Sequence, residues 1–187
     1  MPDNLFELPK NLPVPIDDGA CVHFLNTKIP AVCLPATNGR DVCLAKLNQW
    51  TVLYCYPLTG RPDSKVPDGW DQIPGARGCT AEACAFRDHY SELQALGTRV
   101  FGLSTQTTTY QQEVVERLHI PFELLSDANL ILTQALHLPT FDVDGMILLK
   151  RLTLILSPQG QIEKVFYPVF PPAQHPNEVI AWLLAHL

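Results

Sequence analysis

The order of strand-sized apolar runs and helical patterns restricts this chain more than any other feature. Val52–Tyr56 is an unbroken apolar run within the predicted strand Thr51–Tyr56, and Pro57 stops it. Next, Ala83, Phe86, Tyr90 and Leu93 recur at three- and four-residue spacing, which gives a helix one buried face, and Gly97 is placed to end it. Arg99–Leu103 is a second strand. A helix around Tyr110–Leu118, a short strand at Phe122–Leu125 and a helix capped by Ser126-Asp127 and running to about Leu136 follow. Strands joined through helices must pair in parallel, because only a long crossover returns the chain to the same edge. Arg151–Leu156 and Gln161–Tyr167 alternate and flank Ser157-Pro158-Gln159-Gly160, so they form an antiparallel hairpin. An earlier hairpin joins Val32–Leu34 to Val42–Leu44, with Asn38-Gly39 in its turn. Asn177–Leu187 is the last helix. The expected architecture is α/β, a mixed sheet with helices on both faces. Residues 1–20 read as an irregular leader and 21–187 as one domain.

Composition narrows the function classes. At 47% hydrophobic and 17% charged, the chain belongs with globular proteins. A net charge of -6 with no basic run argues against a nucleic-acid partner. No apolar run is long enough for a membrane helix, and Met1–Glu7 lacks the basic start and apolar core of a signal peptide. The expected compartment is the cytoplasm, where a disulfide is transient and catalytic more often than structural. Residues 58–78 are rich in glycine and proline and read as a long functional loop anchored by Trp70.

Cys79 and Cys84 open the helix that follows this loop. Free backbone N–H groups at a helix start favour a thiolate, and a lowered thiol pKa marks a reactive cysteine. The pair has three readings: two small buried residues, a metal site or a redox site. A metal site needs further ligands at matching spacing; Cys21, Cys33, Cys43 and Cys55 are isolated and the histidines form no close pair. No metal is expected. Five residues along a helix separate two Cα atoms by about 8–9 Å, whereas a disulfide needs about 7 Å or less. If Cys79 and Cys84 join, the first turns must therefore unwind. Cys33 and Cys43 flank the first hairpin and can pair under oxidation; Cys21 and Cys55 read as structural thiols.

Gly78-Cys79-Thr80-Ala81-Glu82-Ala83-Cys84-Ala85-Phe86-Arg87-Asp88 resembles the active-site helix of peroxiredoxins, and within them the peroxiredoxin Q, or bacterioferritin-comigratory protein, group. The resemblance runs through about residues 30–187. Val52–Pro57 resembles the strand entering the active-site loop, Val100–Thr105 the next core strand, and Lys150–Leu156 with Gly160, Ile162 and Val165–Tyr167 the family's arginine-bearing hairpin.

This resemblance implies a thioredoxin fold and a thiol peroxidase acting on hydrogen peroxide and organic hydroperoxides without a cofactor. It implies Cys79 as the attacking thiolate, Cys84 as the partner that closes an intrasubunit disulfide, and Arg151 as the positioned cation. Thioredoxin or a similar dithiol protein would reset the pair, in a monomer or weak homodimer. Glu82 stands at an acidic or amide position of the family, either bonding around Arg151 or lying as a surface charge. The family carries proline seven residues and a hydroxyl residue three residues before the first cysteine; here those positions hold Gln72 and Ala76. Pro57, before an extended loop, takes the proline's place, and Thr59 is the candidate hydroxyl. Arg77 is a second cation beside Cys79 or a solvent-facing one. Two other readings stand beside the peroxidase: a redox sensor or binding module whose helix unwinds on oxidation, and a thiol-disulfide oxidoreductase of the same fold.

Overall fold

The structure is a computed structural model that describes residues 8–187. After an irregular stretch, β1 (Cys33–Pro35) and β2 (Asp41–Cys43) form the first hairpin, with Gly39 at φ 81° in its turn. β3 (Thr51–Cys55) is buried along its whole length. The chain then passes through the long loop to α1 (Cys79–Asp88), α2 (Tyr90–Ala95), β4 (Arg99–Ser104), α3 (Thr108–Leu118), β5 (Leu124–Ser126) and α4 (Ile131–Leu136). A second hairpin, β6 (Thr140–Val143) and β7 (Met146–Leu149), precedes the third, β8 (Leu152–Leu156) and β9 (Ile162–Phe166). α5 (His175–His186) closes the chain.

The central sheet has the order β5-β4-β3-β8-β9. β3 and β4 pair in parallel, as do β4 and β5, while β8 runs antiparallel to both β3 and β9. The mixed sheet thus follows from the two kinds of connection. Alternation along β3 feeds two cores: Leu53 and Cys55 face one side, and Val52, Tyr54 and Tyr56 the other. The first core is closed by the β1–β2 hairpin, α4 and residues 21–29. The second is closed by α1, α2, α3 and α5. No helix among the described residues is long and apolar enough to cross a membrane.

Three local expectations change. The helix expected from Cys79 to Gly97 is two helices. His89 (φ −97°, ψ 5°) leaves the helical region, and Arg87 ties the end of α1 to the Leu118 carbonyl at 2.8 Å. The kink still seats both Phe86 and Leu93 in the core. α4 starts only at Ile131, although Asp127 does cap it: its carboxylate accepts from the N–H groups of Leu132 (3.1 Å) and Thr133 (2.7 Å). The β6–β7 hairpin has no counterpart in the sequence reading. Its Phe141 and Leu148 pack with Trp70 and Ala76 from the long loop, making a third, small core beside the sheet. The Trp70 anchor is therefore buried against a partner the sequence did not reveal.

Candidate functional site

The site is assembled from three chain segments that meet at the start of α1. Cys79 is the first residue of that helix and is 4% exposed. Gly78 before it adopts φ 114°, and a Cβ there would collide with the Pro172 ring. Only glycine lets the turn at Pro172–Gln174 come this close to the helix start.

Arg151, immediately before β8, is buried and fully engaged. Its Nη2 donates to Cys79 Sγ at 3.1 Å and to the Ala76 carbonyl at 3.0 Å. Nε donates to the Gly75 carbonyl at 3.2 Å, and Nη1 pairs with Glu82 Oε2. The end of the long loop thus wraps its carbonyls around the guanidinium and aims one N–H at sulfur. Glu82, one turn after Cys79, is fully buried, which removes the surface-charge reading; its other oxygen, Oε1, has no hydrogen-bond partner among the described residues. Arg77 is also buried and pairs with Asp71 at 3.1 Å, so it does not face solvent.

Burial and charge oppose one another at sulfur. Burial pushes the Cys79 thiol up; the Arg151 guanidinium pulls it down, Glu82 pushes it up again, and the Leu58 N–H pulls it down. The net direction is upward, opposite to the lowering expected from the helix start. The reason is that the long loop closes over the thiol. As a thiol, Cys79 faces the Ala76 carbonyl at 3.7 Å. Burial also raises Glu82, to about 7, against the pull of Arg151. Ionising Cys79 therefore depends on Arg151, the one cation in contact with the sulfur among the described residues.

A cavity of about 10 Å³ opens on Cys79, walled by Leu58, Gly60, Val66, Trp70, Arg77 and Thr80, so Arg77 stands beside the nucleophile's cavity while paired with Asp71. Thr59 is buried but is absent from this wall. Its side chain neighbours the Tyr56 hydroxyl, and its backbone is held by Gln106 (3.0 Å) and the Tyr110 hydroxyl (2.9 Å). Pro57 is buried directly after β3. The hydroxyl residue beside the cavity is instead Thr80, which the sequence reading passed over; its adjacency to Cys79 was the available signal. Cys84 lies five residues along the intact α1, 9% exposed, with burial pushing its thiol up. Both Cys79 and Cys84 are free thiols, as are the buried Cys21 and Cys55. Cys33 and Cys43 are bonded to one another.

Known proteins resemble this chain in sequence and in fold. Residues 73–165, which span the loop end, α1 and the arginine strand, match the AhpC/TSA family. The chain is 30% identical over 155 residues to the chloroplastic peroxiredoxin Q of Sedum lineare, covering 82% of this chain and 74% of that one. It is 30% identical to the chloroplastic peroxiredoxin Q of Suaeda salsa, again over 82% of this chain but only 64% of that protein, just under two thirds of its length. A solved peroxiredoxin Q from Xanthomonas campestris superposes with a TM-score of 0.67 at 26% identity, covering 85% of this chain and 96% of that one. The fold is the thioredoxin fold these structures share. A cysteine at a helix start facing a buried arginine, in a chain this similar to the Sedum protein over most of both lengths, makes the chain a member of the peroxiredoxin family, in its peroxiredoxin Q group.

Proposed function

We propose that the chain is a thiol-dependent peroxidase acting on hydrogen peroxide and organic hydroperoxides. Cys79, as thiolate, attacks one oxygen of the peroxide. The S–O bond forms as the O–O bond breaks, and the departing oxygen takes a proton to leave as water or alcohol. Arg151 favours the thiolate and supplies an N–H where charge develops on the peroxide oxygens. Cys84 then condenses with the Cys79 sulfenic acid, releasing water and forming a disulfide, which requires the first turns of α1 to unwind. A dithiol protein such as thioredoxin reduces that bond and is oxidised in turn.

The observation that carries this reading is the 3.1 Å contact from Arg151 Nη2 to Cys79 Sγ, with the guanidinium fixed on three sides by loop carbonyls and Glu82. A cytoplasmic location belongs to the same reading: it suits the free thiols Cys21, Cys55, Cys79 and Cys84, and the Cys33–Cys43 bond runs against it. The test is stopped-flow oxidation of the reduced protein by hydrogen peroxide, beside Cys79→Ser. A wild-type rate far above that of free cysteine, lost in the variant, is expected. A rate equal to free cysteine favours the redox-sensor reading instead.

A further inference from the structure

The long loop does more than place Cys79 and Arg151. It is pinned at two points. At its root, the Thr59 N–H donates to Gln106 Oε1 (3.0 Å), the Tyr110 hydroxyl donates to the Thr59 carbonyl (2.9 Å), and Arg117 donates to the Gly60 carbonyl (3.1 Å). Further on, Trp70 is 3% exposed and packs against the β6–β7 hairpin, its ring 6.2 Å from that of Phe141. Between these anchors residues 62–65 are exposed, and Val66 turns half inward.

Two spaces meet at this turn. The inner one is the cavity of about 10 Å³ on Cys79, room for about one water-sized group. The outer one is an open vestibule of about 380 Å³, bounded by Ser64, Lys65, Asp68, Tyr110 and Met146. Leu58, Gly60 and Val66 line both and so form the partition between them. Gly60 has no side chain, and Leu58 follows Pro57 at the pinned root, which leaves Val66 as the movable part.

We propose that Val66, closing against Leu58, is a size gate: the site takes hydrogen peroxide and hydroperoxides with very small substituents, and disfavours those with bulky apolar ones. A peroxide with no substituent places the attacked oxygen in the inner cavity and needs room at the partition for only one more OH. A hydroperoxide carrying an aromatic ring must put that ring where Val66 stands, or displace the loop. The vestibule is mixed, with Tyr110 and Met146 beside Ser64, Lys65 and Asp68, so the barrier to the ring is the partition itself. This inference rests on the peroxidase reading and names the substrate class of the same site.

The experiment is the second-order rate of Cys79 oxidation by hydrogen peroxide and by cumene hydroperoxide, in wild type, Val66→Ala and Val66→Leu. Val66→Ala is expected to raise the cumene-to-hydrogen-peroxide rate ratio about tenfold, the scale on which apolar pockets discriminate by a few carbons. Val66→Leu is expected to lower it. A ratio unmoved in both variants, with wild type fast on hydrogen peroxide, overturns the gate and leaves the peroxidase reading standing. A wild type no faster than free cysteine on either peroxide overturns that reading, and the gate with it.

Discussion

The molecule holds two cysteine pairs on opposite kinds of secondary structure, and only one is bonded. Cys33 and Cys43 face one another across the β1–β2 register, with Cα atoms 4.0 Å apart, Cys33 exposed and Cys43 half-buried. Cys79 and Cys84 lie along one helix, about 8–9 Å apart by helical geometry, and both are buried free thiols. A ladder presents opposite residues ready to bond without backbone movement; a helix keeps residues five apart from bonding until it unwinds. The first pair can be a static clasp. The second can store a conformational step. Only the second has an arginine on its sulfur.

That contrast can be broken by substitution, and the largest effect falls at the helix. Cys79→Ser should abolish the fast peroxide reaction, while Cys33→Ser should leave it near wild type; stopped-flow rates of both decide whether the chemistry belongs to one pair. Next, Arg151→Met removes the N–H aimed at sulfur. It should slow peroxide oxidation by about 10²–10³-fold, the usual loss for one aligned donor. It should also move the pH midpoint of Cys79 alkylation to higher pH, since Arg151 lowers that thiol.

A stability measurement separates the pairs in the other direction. With the two cysteines ten positions apart in sequence, loss of the Cys33–Cys43 bond by Cys33→Ser should cost about 2–3 kcal/mol in denaturant unfolding. Reduction of wild type should reproduce that loss. The smallest effect is expected at Glu82→Gln. It removes a charge that raises Cys79, so the alkylation midpoint should shift to lower pH. Because burial raises Glu82 from 4.5 to about 7, the folded state holds its proton more tightly than the unfolded chain. Its stability contribution is therefore complete below about pH 4.5 and is lost as pH rises through 7. Glu82→Gln should flatten that slope in unfolding curves.

Much of this was legible in the sequence because it is local. The β3 run, the Asn38-Gly39 turn, the β8–β9 alternation and the helix carrying both cysteines each announce themselves within one short contiguous stretch. The mixed sheet followed from their order. The features that were missed depend on distant partners. The apolar β7 residues look like any buried run until Trp70 packs on their hairpin. The break at His89 comes where Arg87 reaches the distant Leu118 carbonyl. At the site, the sequence suggested a thiol eased downward by a helix start. It could not show that the long loop folds back over that thiol, buries it and reverses the direction. Nor could it tell that Thr59 lies outside the cavity wall while Thr80 forms part of it.

The division of labour between the two pairs is tested most directly by mapping disulfides after one equivalent of hydrogen peroxide is added to protein whose Cys33–Cys43 bond is already formed. The expected result is one new bond, Cys79 to Cys84, with Cys33–Cys43 unchanged. Recovery of Cys79 joined to Cys33 or Cys43, or of Cys79 still a free thiol after the peroxide is consumed, would contradict the account.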